Sequence, residues 1–180
     1  MEPSKDDIEL LRKAKNGDMQ AFQSIIEQHQ ASVAGIVKGI LGDNRESDEV
    51  GQEVFIRLFE SLGKFKEQSS LLTYVIRIAI NLSLNESKKR KKKSKLFSQL
   101  KEIENRGTED SSIDLNEMLY LKIHQLEPEL QPVAILRMIG GYAIQDTASI
   151  LNIPPGTVMS RLYRTQKKLK QVVAKKEGYE

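Results

Sequence analysis

The sequence predicts an all-α protein made of two small helical domains, each with its own core, joined by a flexible linker. Apolar residues recur at helical spacing along most of the chain, and no strand-like alternation of useful length appears. The pattern fades after Phe97, where ENRGTEDSS has the composition of a tether. The 180 residues suffice for two small domains, and we place the boundaries at 1–94, 95–113 and 114–180.

The first half is expected to form a bundle of amphipathic helices. A short apolar stripe opens the chain, and longer stripes follow over residues 22–40 and 50–62. A further stripe begins after Ser69 or Ser70, either of which can cap a helix. This last helix runs into the lysine-rich tract KKRKKKSK at 88–95, which could instead be a solvated segment that binds polyanions without specificity.

The second half ends in a pattern typical of a helix-turn-helix. Ile144, Ala148 and Leu151 share one helical face, and Asn152 follows where the chain must turn, because Asn accepts a left-handed backbone more readily than most residues. The Pro154-Pro155 pair cannot continue the first helix, but Pro suits the start of the next. The second helix has a basic outer face that suits a DNA groove. An ordinary helical hairpin with a solvated basic face is the alternative.

Composition excludes several classes of function. Cysteine is absent, so disulfides and thiolate metal sites are excluded and a cytoplasmic location is expected. His29 and His124 are the two histidines of the sequence, and His29 lies on an apolar helical face, where we expect a core residue with satisfied polar atoms. No carboxylate–histidine cluster or phosphate-binding glycine loop accompanies them, so we expect no enzyme activity, cofactor or metal. The acidic start MEPSKDDIE is unlike a signal peptide, and no apolar run approaches the roughly 20 residues of a membrane span, so no membrane contact is expected.

Together these motifs resemble the extracytoplasmic-function sigma factors, the group 4 members of the sigma-70 family. Similarity to sigma region 2 lies in ESDEVGQEVFIRLFESLGKF and TYVIRIAINLSLNESKKR, and similarity to region 4 in LEPELQPVAILRM and IPPGTVMSRLYRTQKKL. The resemblance implies a bacterial protein that binds core RNA polymerase and directs promoter-specific transcription initiation. It also implies control by an anti-sigma factor.

The resemblance places the polymerase-binding surface on the third helix of the first half. The residues opposite the apolar side of this helix are mostly acidic and suit a basic helix of another protein. They are Asp48, Glu49, Gln52, Glu53, Ile56 and Glu60. Such a face could equally be the solvated side of an amphipathic helix. Gly51 interrupts this helix, where Gly costs about 1 kcal/mol relative to Ala.

The resemblance further implies that the segment from Lys64 to Lys89 opens the −10 element. Melted strands are held by aromatic stacking, by basic side chains along the backbone and by polar groups that read extruded bases. The residues with these properties are Lys64, Phe65, Lys66, Ser69, Thr73, Tyr74, Arg77, Asn81, Asn85, Lys88 and Lys89. Tyr74 could instead belong to the core.

The second helix of the helix-turn-helix is expected to read the −35 element. Thr157 and the free amides at the helix start would bind phosphate, while Arg161 and Arg164 would reach bases. The full set is Thr157, Ser160, Arg161, Tyr163, Arg164, Lys167 and Lys168. Met159 stands where the family usually has Lys or Arg, which predicts one missing contact.

Two other functions fit the same features. A stand-alone helix-turn-helix regulator would use the first half for dimerisation or sensing, and it would bind duplex DNA tightly without polymerase. A sigma-like decoy would bind polymerase or an anti-sigma factor without initiating transcription.

Overall fold

All regular elements in the part of the chain that the structure describes are helices. The computed structural model describes residues 5–65, 69–100, 122–123 and 125–176. The first half contains α1 (Lys5–Lys15), α2 (Met19–Leu41), α3 (Arg45–Ser61), a 3₁₀ turn (Leu62–Lys64) and α4 (Leu71–Leu100). The second half contains α5 (Gln131–Ala134), which continues into a π-helical segment (Ile135–Ile139), then α6 (Ile144–Leu151) and α7 (Pro155–Lys176). The predicted all-α fold class is confirmed.

Helix α2 forms the centre of the first half and packs against α1, α3 and α4. It begins where the Asp18 carboxylate accepts hydrogen bonds from the amides of Gln20 at 2.9 Å and Ala21 at 3.0 Å. These bonds satisfy amides that would otherwise lack a partner in the first turn. The core between the helices contains fully buried aliphatic side chains, including Ile25, Ile36, Leu58 and Ile76.

The turn between α2 and α3 is fixed by a capping box and by an arginine from α4. The Asn44 side chain accepts from the Ser47 amide at 3.0 Å, and the Ser47 hydroxyl accepts from the Asn44 amide at 3.2 Å. Arg90 donates to the Leu41 carbonyl at 2.9 Å, and to the Asn44 side chain and the Glu46 carboxylate at 3.1 Å each. Arg90 lies inside the lysine-rich tract, yet it joins α4 to the turn between α2 and α3.

The helix-turn-helix has the predicted turn. Asn152 has φ 52° and ψ 48°, in the left-handed region, and α7 begins at Pro155. The Ile153 amide donates to the Ala148 carbonyl at 3.1 Å, which closes the end of α6. Val133, Ala148 and Val158 form a small buried cluster beneath this turn.

The two halves are in contact, and the two predicted domains share buried apolar surface in this structure. Leu130, Ile135 and Ile150 belong to the same buried apolar cluster as the helices of the first half. Helix α2 contacts the π-helical segment, and α4 contacts α6. Periodicity identifies an apolar face but not the element that covers it, so the sequence alone did not distinguish an internal core from a surface between domains.

Helix α4 also continues past the predicted domain boundary at residue 94, to Leu100. The remainder of the predicted linker lies outside the described residues, and the boundaries 1–94, 95–113 and 114–180 stay a prediction. None of the helices in the described ranges has both the length and the apolar character needed to cross a bilayer.

Candidate nucleic-acid interface

Helix α7 presents an exposed face of mixed character. Tyr163 is 68% exposed and Met159 53%, and the two lie one helical turn apart. Ser160, Arg164 and Lys167 are also exposed on this helix, while Thr157, Arg161 and Lys168 are partly buried. The helix therefore carries apolar and basic groups on its accessible surface, held in place by the buried Val158.

The start of α7 differs from the prediction in one respect. The Thr157 amide donates to the Pro154 carbonyl at 2.9 Å, and the Val158 amide donates to the same carbonyl at 3.2 Å. The amide of Thr157 is therefore already engaged, because the carbonyl of Pro154, the first residue of the proline pair, closes the first turn. Phosphate binding by Thr157 itself stays a prediction that depends on its side chain.

Two carboxylates from the segment before α5 reach the basic side of α7. Arg164 Nη1 lies 2.8 Å from Glu129 Oε1, and Arg161 Nη2 lies 3.9 Å from Glu129 Oε2. Lys168 forms an ion pair with Glu127, and this hydrogen bond lowers the pKa of the Glu127 carboxyl. Neither acid was predicted from the sequence, because the two pairs join residues that are 35 and 41 positions apart.

The residues predicted to open the −10 element fall into an exposed and a buried group. Along α4, the exposed side chains are those of Asn81, Asn85, Lys88 and Lys89, with Lys64 exposed in the preceding turn. Asn81 and Asn85 are one turn apart on the same face. Ser69, Tyr74 and Arg77 are partly buried, whereas Phe65 and Thr73 are buried. Lys66 lies outside the described residues.

Phe65 and Thr73 have structural partners. Phe65 is 8% exposed, and its ring centroid lies 4.8 Å from that of Tyr74 in a tilted arrangement. Lys15 Nζ donates to the Phe65 carbonyl at 3.0 Å and lies 5.7 Å from the Phe65 ring centroid. Thr73 accepts a hydrogen bond from the Ser70 hydroxyl at 2.9 Å. Both side chains pack within the domain here, and their contact with a melted strand stays a prediction.

Arg77 connects the first domain to the helix-turn-helix. Its Nε donates to the Ile150 carbonyl at 3.0 Å, and Nη2 donates to the Ser149 carbonyl. The second domain also reaches back through Tyr142, whose side chain packs against the apolar cluster shared with the first half. Burial raises the pKa of Tyr142.

The face of α3 predicted to bind polymerase is exposed but less acidic than the sequence indicates. Asp48, Glu49, Gln52, Ile56 and Glu60 are exposed, and Glu53 is partly buried. Arg57 lies on the same helix and pairs with Glu53 at 2.7 Å and with Glu60 at 3.3 Å. These pairs cancel part of the negative charge, and Asp48 is left as an exposed acid near the start of the helix.

A groove of about 490 Å³ runs beside this face, between α2 and α3. Helix α2 contributes both apolar and polar residues to the lining, which are Ile26, Gln30, Val33, Ala34 and Lys38. Helix α3 contributes Asp48, Gly51 and Gln52 among others. A Cβ atom placed on Gly51 would meet no other atom within 4 Å, so the groove has room for a side chain at this position.

The predicted core position of His29 is confirmed, with one difference. The side chain is 4% exposed, and burial lowers its pKa, an effect that Asp7 partly opposes. Its Nε2 atom has no hydrogen-bond partner within the described part of the chain, so the expected satisfaction of its polar atoms is incomplete.

Comparison with known proteins gives two family matches in chain order. The family described as Sigma-70 region 2 matches residues 25–93, and the family described as Sigma-70, region 4 matches residues 116–169. The chain is 28% identical over 173 residues to the RNA polymerase sigma-H factor of Pseudomonas aeruginosa, covering 89% of this chain and 90% of that protein. It is 27% identical over 180 residues to the ECF RNA polymerase sigma-E factor of Haemophilus influenzae, covering 93% and 95% respectively.

Two solved structures share the fold. CnrH in complex with the cytosolic domain of CnrY matches with a TM-score of 0.69 and 19% identity, over 94% of this chain and 97% of that chain. The sigma factor RpoE of Bartonella quintana, in complex with the anti-sigma factor NepR, matches with a TM-score of 0.65 and 18% identity, over 84% and 96%.

Proposed function

The chain belongs to the extracytoplasmic-function sigma factors of the sigma-70 family, and from this membership we propose how its two domains divide promoter recognition. As a sigma factor it binds core RNA polymerase and directs promoter-specific transcription initiation. It acts by binding in the bacterial cytoplasm, and the polymerase supplies the chemistry.

The first domain binds the polymerase through α3. The observation that supports this is the exposed face around Asp48 and Gln52, which borders the groove between α2 and α3. A partner helix that carries basic residues beside an apolar side would complement both features at once.

The same domain contacts the −10 strand along α4. The supporting observation is the exposed row of Asn81, Asn85, Lys88 and Lys89, in which two amides precede two cations on one continuous helix. Amide side chains hydrogen-bond to bases, and lysines contact the backbone of the same strand. The ring of Phe65 is buried against Tyr74, and we propose that it supports this helix.

The second domain contacts the −35 element with α7. The exposed Ser160, Arg164 and Lys167 support this assignment, since Arg reads guanine through two hydrogen bonds and Lys contacts phosphate. Tyr163 is exposed beside them and packs on the DNA backbone.

An anti-sigma factor controls the protein in this proposal. Support comes from the shared fold, since RpoE of Bartonella quintana was solved with the anti-sigma factor NepR. Binding of such a factor across both domains would compete with the polymerase for α3 and with DNA for α7.

Run-off transcription tests the proposal. Purified core polymerase is mixed with the protein over a library of promoters, and transcripts are compared with those of core polymerase alone. We expect new transcription start sites that depend on the −35 element, and we expect Arg164→Ala to remove this dependence. Duplex binding without polymerase and without transcripts would favour a stand-alone regulator, and polymerase binding without transcripts would favour a decoy.

A further inference from the structure

A carboxylate lies between the two arginines proposed to read the −35 element. Glu129 contacts Arg164 through Oε1 at 2.8 Å and faces Arg161 through Oε2 at 3.9 Å. The Glu129 side chain is 46% exposed and that of Arg164 is 50%, whereas that of Arg161 is 25%. The cluster therefore sits at the surface of α7 and not in the core.

The placement of this acid works against simple attraction to DNA. One carboxylate shared by two guanidinium groups leaves a single net positive charge where the arginines alone would have two. Negative charge near DNA weakens the attraction of the protein to backbone phosphates, which are the same at every DNA sequence. Exposed ion pairs also contribute little to folding stability, so stability gives only a weak reason for an acid at this position.

The hydrogen bond to Glu129 leaves Arg164 with donors that can bind a base. Arg has five N–H donors in a planar fork, and in the described part of the chain Glu129 engages the Nη1 atom of Arg164. The Nε and Nη2 donors form another edge of the planar group, which can make the paired hydrogen bonds that identify guanine. The hydrogen bond to Glu129 restricts the rotamers of the long Arg164 side chain before DNA binds.

We propose that Glu129 is a specificity-determining positioning residue of the −35 surface. It orients the guanidinium of Arg164 and cancels part of the sequence-independent attraction of α7 for phosphate. The inference rests on the proposed function, in which α7 reads the −35 element. Glu127 forms a comparable pair with Lys168, a point charge that binds phosphate without reading bases.

The test uses holoenzyme reconstituted with Glu129→Gln. Dissociation constants are measured on a promoter that the wild-type protein selects and on the same DNA with a scrambled −35 element, over a range of salt concentrations. We expect tighter binding to the scrambled DNA, and a salt dependence steeper by about 0.9 log units for each phosphate newly neutralised. The ratio of specific to nonspecific affinity should fall roughly fivefold, the lower end for loss of one arginine–guanine pair.

Matched variants separate charge from positioning. Glu9→Gln removes the same charge from an exposed ion pair with Lys13 in α1, at 2.9 Å, and should leave the ratio and the salt dependence unchanged. Glu129→Asp keeps the charge but shortens the side chain, so it should retain the wild-type salt dependence while lowering the ratio. An unchanged ratio in Glu129→Gln, or an equal affinity loss on both DNAs, would overturn the proposal.

A further variant distinguishes this inference from the function on which it rests. If Arg164→Ala leaves −35 dependence unchanged, the assignment of α7 itself fails. If Arg164→Ala removes the dependence while Glu129→Gln matches the wild type, only the role of Glu129 fails.

Discussion

Arg77 of α4 donates a hydrogen bond from Nε to the backbone carbonyl of Ile150, 3.0 Å away in the last turn of α6. Carbonyls at a helix C-terminus lack partners within the helix and carry partial negative charge, so a guanidinium is a favourable partner there. Arg77 belongs to the proposed −10 surface, and α6 supports the helix proposed to read the −35 element. These bonds engage Nε and Nη2, so contact with DNA through this edge of the guanidinium would require the bonds to α6 to break.

Replacing Arg77 with Ala should therefore loosen the contact between the domains. A hydrogen bond to a charged group contributes about 1.5 kcal/mol at the lower end, and the partial exposure of Arg77 reduces this to about 1 kcal/mol. Hydrogen exchange of the α6 amides in the free protein should become about fivefold faster. Lys89→Ala removes an exposed cation from the same helix and serves as the control. Equal exchange rates in all three proteins would refute a role for Arg77 in holding the domains together.

Reversing the charge of Asp48 should weaken assembly with core polymerase. Asp48 is exposed at the edge of the groove, and Asp48→Lys would repel a basic partner helix without disturbing the core. We expect the affinity to fall about tenfold, or about 1.4 kcal/mol, in a polymerase-binding titration.

Glu9→Lys makes the same charge change on α1, away from this groove, and should bind polymerase like the wild type. Circular dichroism of both variants checks the fold. Wild-type affinity in Asp48→Lys would mean that the polymerase binds elsewhere.

Arg90→Lys should destabilise the first domain although it keeps the charge. Lysine is a single point donor and cannot reach the Leu41 carbonyl, the Asn44 side chain and the Glu46 carboxylate together. The expected loss is about 1–2 kcal/mol, measured by chemical denaturation. Lys91→Ala, at an exposed neighbouring position, should change stability by less than about 0.5 kcal/mol. A comparable loss in both variants would show that Arg90 has no special structural role.

The buried His29 should make the first domain less stable in mild acid. Burial lowers its pKa from the usual 6.5, so the unfolded chain binds a proton at a pH where the folded chain does not. Stability is complete above about pH 6.5, decreases as the pH falls below it, and stops decreasing below the folded pKa. The loss is about 1.4 kcal/mol for each unit between the two pKa values.

His29→Leu should flatten this profile between neutral pH and mild acid, because the ionisable group is removed. Denaturant unfolding of the wild type and the variant at several pH values provides the measurement. Parallel profiles for the two proteins would show that other groups cause the acid sensitivity.

Local features of this fold were predictable because their causes lie within a few residues. Asp18 caps α2 and Asn152 adopts the left-handed turn, and both roles follow from side-chain chemistry beside an apolar stripe. The partners of Arg77 and Glu129 were not predictable in this way, since they lie 73 and 35 positions away along the chain. Only the packing of one helix against another brings such groups together.

Phe65 illustrates a second limit. It follows a lysine in a polar segment, a context that indicates an exposed aromatic ring, and the structure buries it against Tyr74. Burial of a loop residue depends on the neighbouring helices, which composition does not describe. The exposed Asn81 and Asn85, by contrast, followed from their spacing on a helix whose other face is apolar.

Helix α4 runs without interruption from Leu71 to Leu100, so one rod of about 45 Å carries both the asparagine pair and the lysine-rich tract. Each added residue turns everything downstream by about 100°. A one-residue insertion after Arg90 would thus preserve every charge and the contacts of Arg90, yet rotate Lys91 and Lys92 by more than a quarter turn around the helix axis. The rotational position of these lysines around the axis therefore depends on an unbroken helix. The transcription activity of such insertion variants would measure how strictly promoter recognition requires that position.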